Sequence, residues 1–277
     1  MKQSGILYIV GTPIGNLEDM SSRAVRILKE ADLIAAEDTR HTKILLDHFE
    51  IKTPMESYHK FSERSKIPRI IEYLQGGKNI ALVSDAGMPG ISDPGELLVK
   101  EAVKNNICII PIPGPSASLL ALSASGLSTE RFIFEGFLPR KEKEKMQRLY
   151  DLKDETRTVV FYEAGNRIAE TVNDMKKIMG NRDCIIAREL TKKFEEIKRG
   201  NFDNIVSQIT NTKGEFVIII GGAELKQAAT VKSLKEEIED LQEQLGISAK
   251  EAIKLAAAKL NLPKREVYSE WIRNNTY

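Results

Sequence analysis

Short apolar runs separated by amphipathic stretches dominate the first 115 residues. ILYIV (6–10), LIAAE (33–37), NIALV (79–83) and ICIIPI (107–112) are brief and rich in β-branched residues, which predicts strands rather than buried helices. Between them, SSRAVRILKEA, TRHTKILLDHF, SERSKIPRIIEYLQGG and GELLVKEAVKNN carry the helical patterns. Ser21 or Ser22 is placed to cap the first of these, and Pro68 is expected to interrupt the third. Strand alternating with helix predicts an α/β fold with a mostly parallel sheet, whose ligands bind beyond the carboxyl ends of the strands.

The pattern changes after residue 130. RFIFEGF (131–137), TVVFYEA (158–164), CIIARELT (184–191) and EFVIIIGG (215–222) read as strands separated by more highly charged helices. A domain boundary is expected near Gly114–Ser118, where PGPSA turns the chain, and a second near Leu225–Thr230. Beyond that point VKSLKEEIEDLQEQLG, SAKEAIKLAAAKLNL and PKREVYSEWIRN are all helical in pattern. The predicted organisation is therefore 1–115 and 116–226 as two α/β domains and 227–277 as a helical tail. In the tail, two helices joined at Asn261–Pro263 resemble a helix-turn-helix, with Lys264 and Arg265 opening the second. Tyr268 and Trp271 are expected to pack those helices together.

Composition narrows the function classes. Of 277 residues, 42% are hydrophobic, enough for real cores, and the net charge of +1 lacks the strong basic bias of a typical nucleic-acid binder. Cys108 and Cys184 sit in apolar runs and read as buried thiols. The three histidines have neither cysteine partners nor HExxH spacing, so no metal site is expected. The N-terminal apolar run is too short to span a bilayer and lacks signal-peptide features, so the expectation is a soluble cytoplasmic protein that engages no membrane and no DNA.

The loops after the strands carry the candidate chemistry. ALVSDAGMPGISDPG (81–95) is rich in glycine but is a poor phosphate cradle: Pro89 and Pro94 each remove an N–H donor, and Asp85 and Asp93 add negative charge. Two readings remain for it: a plain strand-to-helix connection, or a tight wall against a ligand with hydroxyls, an amine and a cationic centre, with Asp85 as acceptor. VGTPIGNLED and IPGPSAS are of the same kind and would cluster with it at one sheet edge. AAEDTRHTK brings Glu37, Asp38, Arg40, His41 and Lys43 to the end of the second strand, either as a helix N-terminus with favourable acids or as a group for proton chemistry. GFLPRKEKEKMQRL holds Arg140, Lys141, Lys143, Lys145 and Arg148, either as a solvated helix face or as a mobile basic loop for polynucleotide phosphates.

These motifs together resemble a known family. LYIVGTPIGNLEDMS, AAEDTRHT, LVSDAGMPGISDPG, PIPGPSA, FEGFLPRK, FYEAGNR, ARELTKKFEE and GEFVIIIGG, in this order over residues 5–222, are similar to the tetrapyrrole methylase-like (class III) S-adenosylmethionine-dependent methyltransferases. Within them, EDTR and GFLPRK resemble the branch that methylates the ribose 2′-oxygen of a cytidine in the decoding region of 16S rRNA. The resemblance implies two α/β domains with S-adenosylmethionine in the cleft between them, usually as a homodimer. It implies donor contacts at Pro13 and Ile14, at Ser84, Asp85 and Met88, at Ser116 and Ala117, at Tyr162 and Glu163, and at Glu189 and Leu190. Where the tetrapyrrole enzymes carry Gly-Asp-Pro, this chain has Ser84, Asp85 and Ala86, and EDTR and GFLPRK move the weight away from corrin or porphyrin substrates. A tetrapyrrole methyltransferase and a ligand-sensing helix-turn-helix regulator are the competing readings.

A ribose hydroxyl is a weak acid and must lose its proton to attack a methyl group. From the EDTR cluster, Asp38 or Glu37 is the expected base, with Arg40 orienting it or gripping the adjoining phosphate. Arg140, Lys141, Lys264 and Arg265 are the expected RNA contacts.

Overall fold

The computed structural model describes residues 4–224, 238–239, 241–242, 247–259, 264, 267–269 and 271. The chain divides into two compact units, Met1–Ala223 and Glu224–Tyr277.

The first unit holds two five-stranded sheets. The first is built from β1 (Ile6–Val10), β2 (Leu33–Ala36), β3 (Met55–Ser57), β4 (Ile80–Val83) and β5 (Cys108–Ile112), in the order β3-β2-β4-β1-β5. Every pairing in it is parallel. Helices α1 (Ser22–Glu30), α2 (Thr39–His48), α3 (Glu63–Gln75) and α4 (Glu96–Lys104) make the crossovers. Ser21 caps α1 by accepting a hydrogen bond from the Ala24 N–H. Successive residues of one strand feed opposite cores. Val10, Ile34, Ala36, Ala81 and Val83 pack with α1 and α2, whereas Leu7, Ile9, Ala35, Ile80 and Leu82 pack with α3 and α4. Burial on both faces accounts for the unbroken apolar runs of these strands.

The second sheet comprises β6 (Phe132–Phe137), β7 (Thr158–Ala164), β8 (Asp183–Arg188), β9 (Glu196–Asn201) and β10 (Glu215–Ile220), in the order β6-β7-β10-β8-β9. Only the β6–β7 pairing is parallel. Helices α6 (Glu142–Asp151), α7 (Ile168–Met179) and α8 (Phe202–Gln208) belong to this half, and Leu149, Val172 and Ile205 pack with Val159, Phe161, Ile186 and Ile218 on one face. On the other face, Val160, Ile185, Ala187, Val217 and Ile219 pack with Ala121 and Leu122 of α5 (Ala117–Ser123), and with Ile14 from the loop after β1. That loop of the first half is thus seated in the core of the second sheet.

Two expectations are corrected, and one choice between two readings is narrowed. Helix α3 runs unbroken through Pro68, which lies in its second turn and forfeits a single backbone bond there. Cys108 is exposed, because β5 is an edge strand and Cys108 opens it; Cys184 is buried, and burial raises its thiol pKa. The basic stretch after β6 is helical, and two of its cations are tied down. Lys145 is buried in ion pairs with Glu170 (2.5 Å) and Asp174 (2.7 Å), and Arg148 grips Glu135 through two hydrogen bonds (2.8 and 2.7 Å).

In the second unit, α9 (Ala249–Lys259) contributes Ala252, Ile253, Ala256 and Ala257 to a separate core with Ile238 and Val267. Trp271 packs against that core, whereas Tyr268 is half exposed. The expected boundary at 225–230, the Asn261–Pro263 joint and Arg265 lie outside the described residues.

Candidate active site

The carboxyl ends of β1, β4 and β5 release three loops that are locked together by backbone contacts. Thr12 and Gly87 exchange hydrogen bonds, Thr12 N to Gly87 O at 2.9 Å and Gly87 N to Thr12 O at 3.0 Å. Gly11 and Gly114 approach so closely that a Cβ on Gly114 would meet the Gly11 Cα at 2.6 Å, and a Cβ on Gly11 would meet the Gly114 Cα at 2.7 Å. Backbone rather than side chain therefore forms this part of the wall, which is why the loops are written in glycine and proline.

Beside these loops lies a cavity of about 630 Å³, a volume suited to a cofactor or other small molecule. Ile14, Met88, Ser116 and Ala117 line it from the first-half loops and α5, and Tyr162, Glu163 and Leu190 from the second half. Phe132, Phe134 and Phe137 of β6 supply an aromatic wall; Phe134 meets Tyr162 edge-on with ring centres 4.9 Å apart, and Phe137 lies tilted to it at 5.6 Å. The Tyr162 hydroxyl accepts a hydrogen bond from the Ser118 N–H (3.2 Å), which fixes the first turn of α5. The buried Glu163 carboxylate accepts from the Thr171 hydroxyl (2.7 Å) and the Ala164 N–H (2.8 Å).

The remaining residues expected at the donor site are not among those lining the cavity. Pro13 adjoins Ile14 in the chain. Buried Ser84 supplies its carbonyl to the Thr12 hydroxyl (3.1 Å). Asp85 is turned toward β2: its carboxylate accepts the Asp38 N–H (3.0 Å), and its own N–H donates to Glu37 (3.3 Å). Glu189 has φ +50° and ties the end of β8 to β10 by accepting the Glu215 N–H (3.0 Å).

Within EDTR the two acids differ. Asp38 caps α2 by accepting the Arg40 N–H, and the Arg40 guanidinium holds its carboxyl well below the usual carboxylate range. Both Asp38 and Arg40 face solvent, the Arg40 side chain being 90% exposed. Glu37 is raised instead, by burial and then by the nearby Asp85 and Asp38 carboxylates, against the pull of the Asp85 N–H and His59.

A residue that sequence reasoning passed over completes this group. Asp93 lines the cavity, and burial pushes it up to about 7, with Glu37 and Asp85 adding to the effect and a hydrogen bond from Ser84 opposing it. Its perturbation comes from burial and from Glu37 on another loop as well as Asp85 on its own, and only its place in the SDPG turn signalled it. A half-buried carboxyl balanced near neutrality on a cavity wall can accept a proton from a weak acid.

Arg140 and Lys141 are exposed just ahead of α6, and Lys141 pairs with Glu144 at 2.9 Å. Lys264 is exposed in the second unit. Among the described residues no cluster of His, Cys, Asp or Glu is arranged to hold a metal ion, and no helix is long and apolar enough to cross a membrane.

Comparison with known proteins is consistent along the chain. The profile of the Tetrapyrrole (Corrin/Porphyrin) Methylases matches residues 6–206. The chain is 48% identical over 272 residues to Ribosomal RNA small subunit methyltransferase I of Halalkalibacterium halodurans, covering 96% of this chain and 94% of that one. It is 46% identical over 275 residues to the protein of the same name from Bacillus subtilis, with the same coverage. Among solved structures, the methyltransferase CobJ superposes with a TM-score of 0.60 at 18% identity, over 79% of this chain and 95% of that one. Uroporphyrin-III C-methyl transferase from Thermus thermophilus, complexed with S-adenyl homocysteine, gives 0.57 at 16% identity, over 78% and 97%. Two sheets joined at a cavity, the ordered loops around it and near-full-length identity agree: the chain belongs to the tetrapyrrole methylase family and, within it, to the ribosomal RNA small subunit methyltransferase I group.

Proposed function

We propose that this methyltransferase moves a methyl group from S-adenosylmethionine to the ribose 2′-oxygen of a cytidine in the decoding region of 16S rRNA, within the small ribosomal subunit. The observation that carries this reading is the 48% identity, over nearly the whole of both chains, to a protein named for small-subunit ribosomal RNA methylation.

The cavity suits that donor. Its walls are aromatic and aliphatic with acids at Asp93, Glu163 and Glu215, and among the described residues no lysine or arginine lines it. Such a lining favours a flat base and a cationic centre over a polyphosphate. When bound, S-adenosylmethionine supplies an electrophilic methyl group. Ile14, Met88, Ser116, Ala117, Tyr162, Glu163 and Leu190 would contact it directly. Pro13, Ser84, Asp85 and Glu189 would act through the loops they brace.

The chain's own task is to bring the hydroxyl to the methyl group in line, keep water out and remove the proton. We assign the proton to Asp93, with Glu37 beside it keeping its affinity for a proton high. Asp38, pinned by Arg40, serves better as a rim residue that holds Asp85. Arg140, Lys141, Lys264 and Arg265 are proposed to meet RNA phosphates. We further propose that 1–115 and 116–226 work as two domains about the cavity and 227–277 as an RNA-directed tail. The protein would act in the cytoplasm as a homodimer. Exposed Ile91, Leu119 and Phe137 at the cavity rim give such a dimer apolar surface to cover.

Mapping of 2′-O-methylation on small-subunit RNA, from cells with and without the gene, tests the reading. A primer-extension stop at one decoding-region cytidine, present only with the gene, is expected. Methylation of uroporphyrinogen with no mark on RNA would overturn it.

A further inference from the structure

Two exposed phenylalanines stand in the turns after β3 and β8, each next to an exposed lysine. Phe61 is 97% exposed and follows His59 and Lys60 in the turn after β3. Phe194 is 65% exposed and follows Lys193, whose ammonium lies 5.8 Å from its ring centre, in the turn after β8.

Neither turn is loose. The His59 carbonyl accepts the Ser62 N–H (2.9 Å) and the Glu63 N–H (3.0 Å), and the Ser62 hydroxyl bonds the same carbonyl (3.1 Å). In the second turn, Lys192 N donates to the Glu189 carbonyl (3.0 Å) and Glu195 N to the Lys192 carbonyl (3.1 Å). Both rings are therefore held out in water by ordered backbone, where an apolar side chain gains nothing from folding.

Both turns also adjoin the site. Glu63, two residues after Phe61, accepts the Gly95 N–H (2.9 Å) of the loop that carries Asp93, and the Tyr58 N–H bonds the Ala36 carbonyl (2.6 Å) at the end of β2. Leu190, four residues before Phe194, lines the cavity, and Lys192 packs on Gly15 of the first loop. Aromatic faces interleaved with cations are the chemistry that holds unpaired nucleotides: rings stack on bases while ammonium groups meet phosphates.

We propose that the Lys60–Phe61 and Lys193–Phe194 turns are stacking clamps for single-stranded RNA flanking the target nucleotide. The proposal rests on the rRNA methyltransferase reading and extends it to the residues that spread the strand open at the cavity mouth. It needs no sequence preference, because every base has a face to stack.

Full-length protein is assayed on small ribosomal subunits, and binding of a labelled single-stranded RNA oligonucleotide carrying the decoding-region sequence is followed by anisotropy. Phe61→Ala and Phe194→Ala each weaken oligonucleotide binding and kcat/KM by about tenfold. Phe61→Tyr and Phe194→Tyr restore both. Lys60→Ala and Lys193→Ala each reduce the slope of log affinity against log salt by about 0.7. Donor affinity and sedimentation are unchanged throughout. Alanine variants that match the wild type on RNA overturn the clamps. So does a loss that tracks altered sedimentation, since the rings would then serve a protein interface. A wild-type chain that binds the donor yet methylates no RNA fails the underlying reading instead, which keeps the two failures apart.

Discussion

The phenol of Tyr58 donates a hydrogen bond to the Glu63 carboxylate at 3.0 Å, with both side chains buried. The same carboxylate oxygen accepts the Gly95 N–H at 2.9 Å, so one acid joins the turn after β3 to the loop that carries Asp93. Burial and then Glu63 raise the Tyr58 pKa, keeping it a donor at any working pH. Glu63→Ala would strand two buried donors and is expected to cost about 3 kcal/mol, from charged-acceptor hydrogen bonds and desolvation. Glu63→Gln should cost distinctly less. Urea unfolding curves of the three proteins check the order.

Asp93 sets an expected pH profile. With its carboxyl raised to about 7, the fraction able to accept a proton grows as pH rises, so turnover should climb through that value and level off above it. Asp93→Asn should lower kcat by roughly 10²–10⁴-fold, the range for loss of a general base, with donor affinity kept. Asp38→Asn should leave turnover within a few-fold, because Asp38 is committed to Arg40 and the start of α2. Equal, large losses at both positions would return the proton to EDTR.

Linkage gives the same residue a signature in stability. A carboxyl whose native pKa is raised binds a proton that the unfolded chain has already released between its ordinary value of 3.8 and about 7. The Asp93 contribution to stability is therefore fully present below that window and is lost as pH rises through it. Asp93→Asn should flatten this part of the curve, as thermal melts at several pH values will report.

Gly114 should tolerate no side chain. A Cβ there would lie 2.6 Å from the Gly11 Cα and 2.7 Å from its carbonyl carbon, and both belong to braced backbone. Gly114→Ala is expected to cost about 1–3 kcal/mol by overpacking and to weaken donor binding, because the wall itself must move. Calorimetric donor titration separates the second effect from the first.

Lys145 is a structural cation. Its ammonium sits between Asp174 and Glu170, and Asp174 is itself buried. Lys145→Ala should destabilise by about 1.5–3 kcal/mol, the range for hydrogen bonds to charged groups, since Asp174 keeps Lys177 at 3.1 Å, without the change in salt dependence expected of an RNA contact. Comparison with Arg140→Ala, at an exposed position, distinguishes the roles.

The sequence revealed the strands written as apolar runs, both the doubly buried β1, β2 and β4 and the edge strands β5 and β6. It concealed β3, which is three residues long and half-buried, and β9, whose EIKRGN carries charge on a sheet edge. Glycine and proline in the loops announced a backbone-built wall, but the pairing of Gly11 with Gly114 is a contact between residues far apart in the chain. Asp93 was hidden for the same reason: its proton affinity depends on its burial in the folded chain and on Glu37, more than fifty residues away. Lys145 looked like its basic neighbours because its partners lie on α7.

The cavity draws its lining from Ile14 to Val217, so no shorter stretch of chain encloses it. During synthesis, the first sheet can assemble while its loops still face water, and the pocket closes only after β10 has left the ribosome and joined β7 and β8. Donor binding thus reports a finished two-sheet unit: a chain that stops before β10 cannot sequester the methyl donor, and ligand-induced stabilisation is reserved for molecules in which both sheets have formed.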